Sequence, residues 1–329
     1  MSRTILVILL SWLAMGAGAA QATYQELAQS VGAPGVVFVK DSLFLDEAEV
    51  ANIHWLEYLH FIRKDSTEAF YRSQVPDTTA LVSYMQAHYG SAGKYLPHYL
   101  TYGGFRYFPV VGISQAQAVN YCRWRSAMVN NRMHSEEYLR KHPKLRNYNF
   151  RVEYRLPTAA EWETAAAGRL NPLEQPLGLV RPPVPGSRPY KALLRKPATV
   201  ATCLAGTAEP RPTAPIFEME FTVRENFYLG SPTPQALTCP MPAEYVKKGS
   251  LNEGVPIMDY TYVNPPNAYG LYNMIGNVAE LTATLGVAKG GSFEQSINDF
   301  TLQTNFPYAK PTEWLGFRCA CTIFISPKQ

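Results

Sequence analysis

Apolar residues in this chain come in short groups separated by polar turns. Only a few stretches keep a regular period. Gly35-Val-Val-Phe-Val-Lys-Asp-Ser-Leu-Phe-Leu45 is β-branched and aromatic and predicts a strand. Asn52 then predicts a helix N-cap, and Trp55, Leu56, Leu59 and Ile62 follow at helical spacing. Residues 65–105 are rich in tyrosine and predict a loop with a short helix near Thr79–His88. Ser114-Gln-Ala-Gln117 has the form of a capping box, in which each side chain reaches the other's backbone amide. The helix it opens runs through Ala118, Val119, Cys122, Ser126 and Val129. A charged, helical insertion follows at His134–Arg146. A second capping box, Thr158-Ala-Ala-Glu161, starts a helix packed through Trp162, Ala165 and Ala166, with Gly168 to end it. From Asn171 to about Pro215 proline dominates and no period survives. The C-terminal third reads as short strands and turns, and no internal repeat is visible. The class predicted is mixed α+β, with two or three helices, short strands and much loop.

The first residues change the picture of destination. Met1-Ser2-Arg3, an apolar run from Ile5 to about Ala14 and the small-residue end Ala20-Gln21-Ala22 predict a signal peptide over 1–22 with cleavage before Thr23. The run is too short to span a bilayer, and no later segment reaches the length of a membrane span. No cysteine stands near the cut, so the expectation is export without a lipid anchor, to the periplasm or outside the cell. With 30 Lys+Arg against 26 Asp+Glu, the charge is too balanced to suggest a nucleic-acid partner. The 21 tyrosines and 26 prolines suit a loop-rich domain packed by aromatics.

Five cysteines, Cys122, Cys203, Cys239, Cys319 and Cys321, leave at most two disulfides and one spare thiol. Cys319-Ala-Cys321 is too tight for a usual zinc knuckle and has no histidine beside it, so structural disulfides are the better reading after export.

Several strings carry more identity than any period. They are Pro109-Val-Val-Gly-Ile-Ser114 with Ala118-Val-Asn-Tyr-Cys122-Arg-Trp124, Arg155-Leu-Pro-Thr-Ala-Ala-Glu-Trp-Glu163, Asn267-Ala-Tyr-Gly-Leu-Tyr-Asn-Met-Ile-Gly-Asn-Val-Ala-Glu280, Lys289-Gly-Gly-Ser-Phe293 and Leu315-Gly-Phe-Arg-Cys-Ala320. In this order they resemble the formylglycine-generating enzyme (sulfatase-modifying factor) superfamily, and Phe44-Leu-Asp-Glu-Ala-Glu-Val-Ala-Asn52 resembles the start of its fold. The resemblance implies that superfamily's loop-rich, C-type-lectin-like variant as one domain over 23–329, with the proline-rich stretch at about 171–215 as an irregular insertion. It also implies a disulfide between Cys122 and Cys319. Cys203 and Cys239 are candidates for a second disulfide, and Cys321 is then the odd, buried thiol.

The same resemblance bears on chemistry. The enzymes of this superfamily bind copper and activate oxygen with two cysteines shortly after Gly-Gly-Ser. Here Gln295 and Phe300 stand at those positions, and neither an amide nor a phenyl ring is a soft thiolate ligand. No copper is therefore expected. Trp314 replaces a polar residue of the enzymes, and Ser292 has no recognisable His/Asp partner, so it reads as a turn hydroxyl. The related iron-dependent sulfoxide synthases use a histidine-rich helical domain, but His54 and His60 do not share a helix face. One site persists in the resemblance: a structural Ca²⁺ held by the Asn273 side chain, the Gly276 and Val278 carbonyls and the Glu280 carboxylate, an oxygen set that suits this ion.

The long stretch between Trp124 and Arg155 is similar to that of the gliding-motility and type IX secretion lipoproteins of Bacteroidetes, which are non-catalytic. The expectation is therefore a non-enzymatic scaffold or binding protein with envelope, secretion or motility partners. The rival readings are an oxidase with relocated chemistry and a carbohydrate- or peptide-binding module.

Overall fold

In the computed structural model, residues 24–89, 95–169, 258–262, 266–294 and 301–328 are described. The signal peptide over 1–22, the proline-rich stretch at about 171–215, Cys203, Cys239, Gln295 and Phe300 lie outside these residues. Among the described residues, no helix is long and apolar enough to cross a membrane.

A helix over 24–31 (α1) leads to β1 (Val36–Lys40) and β2 (Leu43–Asp46). Helices α2 (Asn52–Asp65), α3 (Glu68–Gln74) and α4 (Thr79–Tyr89) follow, then α5 (Gln115–Met133), α6 (Glu136–Lys141), β3 (Tyr148–Arg155) and α7 (Ala159–Ala166). The C-terminal part supplies β4 (Ala279–Leu281), β5 (Val287–Lys289), β6 (Phe306–Pro307), β7 (Leu315–Gly316) and β8 (Ala320–Pro327). The α+β class read from the pattern is the class adopted, but helices outnumber the expected two or three even among the described residues. Helix α3 is too brief to display a period, and α6 falls within the helical insertion expected at His134–Arg146.

Both capping boxes form. Gln117 N donates to Ser114 Oγ and Ser114 N to Gln117 Oε1, and the same reciprocal pair joins Thr158 and Glu161. Two local expectations need correction. Residues 35–45 are a hairpin rather than one strand, because the chain reverses at Asp41, whose φ is +52°. The N-cap of α2 is Ala51, with no side-chain bond. Asn52 is already helical, and its buried amide donates to the Tyr99 and Phe105 carbonyls. Asn52 thus fastens the 95–108 loop to α2 instead of capping its own helix.

The first sheet runs β1-β2-β8-β3, all antiparallel, and the second runs β6-β5-β4-β7, with β4 and β7 parallel. Strand β3 ends the first sheet, and its free edge is closed by side chains of α5. Val152 N donates to Asn130 Oδ1 at 3.0 Å, and Asn130 Nδ2 donates back to Val152 O at 2.7 Å. One turn earlier on the helix, Ser126 Oγ accepts from Tyr154 N at 2.8 Å. Two polar residues on an otherwise packed helix face therefore do for Val152 and Tyr154 what a further strand would do, and this part of the edge is closed to another chain.

The motif Leu315-Gly-Phe-Arg-Cys-Ala320 links the two sheets. A Cβ at Gly316 would lie 2.8 Å from Val278 Cγ2, so only glycine lets β7 approach β4 this closely. Phe317 enters the aromatic core, with edge contacts to Trp55 and Tyr121, which stack on each other. Arg318 turns into a polar core and Cys319 back toward α5.

Replacing Asn130 by Leu leaves the Val152 amide and carbonyl buried without partners, at about 1–3 kcal/mol for each group. In urea unfolding N130L should lose about 2 kcal/mol or more, whereas N131L, one residue along on an exposed position, should stay within about 0.5 kcal/mol.

Candidate functional site

The polar core is built around Arg318, which is fully buried. Its Nε donates to both Glu280 oxygens at 2.9 and 2.8 Å, and Nη2 donates to Glu280 Oε1 at 2.6 Å. Nη1 reaches the Asp46 and Glu47 carbonyls, and Nη2 also reaches those of Tyr272 and Asn273. Trp162 Nε1 donates to Glu280 Oε2 at 2.8 Å, which ties α7 to the same carboxylate. A guanidinium offers its donors in a fixed planar fork, and here the fork joins the β2–α2 turn, the 272–273 loop and β4.

A second carboxyl, Glu49, sits against this pair. It accepts from Asn273 Nδ2 at 3.1 Å and from Asn277 Nδ2 at 3.0 Å. Burial pushes its pKa up to about 8, opposed by Arg318 and reinforced by Glu280. The loop that carries the two asparagines is tightly curled. Asn273 and Asn277 have φ of +47° and +60°, a region asparagine enters more readily than most residues, and Gly276 lies at +76°.

The four expected calcium ligands therefore occupy one loop and strand, but not as an open cage. Glu280 already neutralises Arg318, and both of its oxygens accept hydrogen bonds. Asn273 fits a cation better, because its Oδ1 is buried and has no hydrogen-bond partner while its Nδ2 is spent on Glu49. Among the described residues no group of three or more His, Cys, Asp and Glu side chains converges as a metal cage.

Cys122 and Cys319 are both buried, with Sγ atoms 3.5 Å apart as thiols. Burial, and then the hydrogen bond with Cys122, raise the Cys319 thiol well above its ordinary range. Cys321 is also fully buried, and its pKa is pushed up to about 12, mainly by desolvation. Neither is disposed to form a thiolate near neutral pH. Beyond Ser292, which accepts from Glu294 N, the Glu294 carboxyl is pushed up to about 8 by burial and by Glu313 beside it.

The reading from sequence named Glu280 but missed Arg318 and Trp162 as its partners, and Glu49 with Asn277 beside them. It also missed Asp46, whose Oδ2 accepts from Arg125 Nη1 at 2.7 Å and from Cys319 N at 2.9 Å. The signal available was the set of three acidic residues, Asp46, Glu47 and Glu49, in the strand-to-helix junction.

Residues 12–178 and 240–323 match the family described as Sulfatase-modifying factor enzyme 1-like domain. Among solved structures, Treponema denticola variable protein 1 is 15% identical, with a TM-score of 0.41 over 88% of this chain and 91% of its own. PvdO from Pseudomonas aeruginosa is 16% identical, with a TM-score of 0.41 over 85% and 80%. CarF is 16% identical, with a TM-score of 0.42 over 89% and 93%. No curated protein matches the chain.

Proposed function

We propose that this chain, which belongs to the Sulfatase-modifying factor enzyme 1-like domain family, is exported, lacks the oxidase activity and serves as a scaffold or binding component of an envelope assembly of the gliding-motility or type IX secretion kind. Its fold is the family's α+β fold, with the two sheets and flanking helices described above. The observation that carries the reading is the supply of thiols. Gln295 and Phe300 stand where the enzymes have their cysteines. The described cysteines are buried, and Cys319 and Cys321 have raised pKa values. Oxidation of a substrate thiol through copper needs accessible thiolates. The charged stretch between Trp124 and Arg155, which builds α6, supports the likeness to the motility-type members.

The purified chain lacking 1–22, incubated with copper and a cysteine-bearing sulfatase peptide, is expected to yield no aldehyde by mass spectrometry. Aldehyde formation would favour the rival reading, an oxidase with relocated chemistry.

Two structural features belong to the same proposal. After export Cys122 and Cys319 form a disulfide, which closes a long loop and stabilises by roughly 4–5 kcal/mol on the chain-entropy model. Calcium is held by Asn273 Oδ1, the Gly276 and Val278 carbonyls and Glu280, where it gives the unpartnered Asn273 oxygen a partner. Calcium at about 100 times its Kd should add about 2.7 kcal/mol of stability. The rise in Tm should disappear with EGTA and in N273A; an equal rise in N273A would overturn the assignment.

A further inference from the structure

A cleft of about 590 Å³ opens beside the β2–α2 turn, between that turn, α2, α5 and α6. This is within the size range of pockets that enclose small molecules. Its walls are mainly apolar and aromatic: Phe61 from α2, Trp124, Met128 and Met133 from α5, and Tyr138 from α6. Phe61 and Trp124 are in ring contact, with centroids 5.8 Å apart.

Two polar atoms in this lining have no partner. Asp46 is 4% exposed, and while its Oδ2 holds Arg125 and the Cys319 amide, its Oδ1 accepts from nothing. Gly35, also in the lining, lies over this buried oxygen. A Cβ there would stand 4.0 Å from Oδ1 and 3.0 Å from Arg125 Nη2, and at φ of +74° a side chain is strained as well. The second atom is Trp124 Nε1, a donor with no acceptor. Acid also predominates in the lining. Glu47, Glu49 and Glu57 join Asp46 against His54, Arg125 and Arg132, and Arg125 is already paired with Asp46 at 2.7 Å.

An apolar aromatic chamber with an unsatisfied carboxylate oxygen calls for a ligand that brings a charged donor on an apolar body. Ammonium groups satisfy buried carboxylate oxygens with charge-assisted hydrogen bonds, and aromatic faces attract the same cations. We propose that this cleft binds a small organic amine, with its ammonium on Asp46 Oδ1 and its apolar body against Phe61, Trp124 and Met128. Trp124 Nε1 provides a further handle for an acceptor atom on such a ligand.

Three probes of one shape and different charge test this by calorimetry on the chain lacking 1–22: phenethylamine hydrochloride, 2-phenylethanol and sodium phenylacetate. Phenethylamine is expected to bind with a Kd of about 1 mM or below, and the alcohol at least about tenfold more weakly. Phenylacetate should show no binding. M128W fills the chamber and should abolish amine binding while the circular dichroism stays that of the parent. F61A removes one wall at a partly exposed position and should weaken the amine at least about threefold. Absence of amine binding, phenylacetate binding as tightly as the amine, or amine affinity unchanged in both variants would each overturn the proposal.

Discussion

Arg318 has no contact with solvent, yet its guanidinium donates to a carboxylate and to four backbone carbonyls drawn from three separate parts of the chain. A buried guanidinium without these partners would cost several kcal/mol in lost hydration. The charge therefore dictates what surrounds it. Glu280 on β4 must face it, the 272–273 loop must curl its carbonyls inward, and the turn after β2 must present its own. Trp162 then adds α7 through the second Glu280 oxygen. The loop-rich C-terminal third has little regular structure to fix it, and this single ion pair does much of that work.

The residues around the pair follow from the same constraint. Phe317 and Cys319 flank Arg318 and, by strand alternation, point away from it into the aromatic core and toward α5. Gly316 and Gly290 permit the close approaches that the node requires. A Cβ on Gly290 would meet the Trp162 ring and the Met274 carbonyl at 3.1 Å. Glu49 is the extra carboxyl that the node does not neutralise. Burial raises its pKa to about 8, and its two asparagine partners hold it against the pair, while the Asn273 Oδ1 beside it has no hydrogen-bond partner.

The elements with local signals were legible in the sequence. Ser114 with Gln117 and Thr158 with Glu161 announce α5 and α7, because a capping box is closed within four residues. Asn52 was misread because its residue type favours a cap, while the tertiary fold uses its amide to hold two distant carbonyls. The Asp41 reversal inside an apolar run was invisible for a similar reason, since β-branched residues on both sides read as one strand. In the candidate site Glu280 could be found through its motif. Arg318 and Glu49 lie 38 and 231 positions away from it, and no spacing rule connects them. The Ser126 and Asn130 seal on β3 was hidden because polar residues on a helix ordinarily mean solvent.

The central claim is that the Arg318–Glu280 pair organises the C-terminal third, and a double-mutant cycle by urea unfolding tests it most directly. R318M leaves Glu280 buried and unpaired and is expected to lose about 3–5 kcal/mol, and R318M/E280Q should recover part of that loss. Stability of R318M within about 0.5 kcal/mol of the parent, with no coupling to E280Q, would contradict the account.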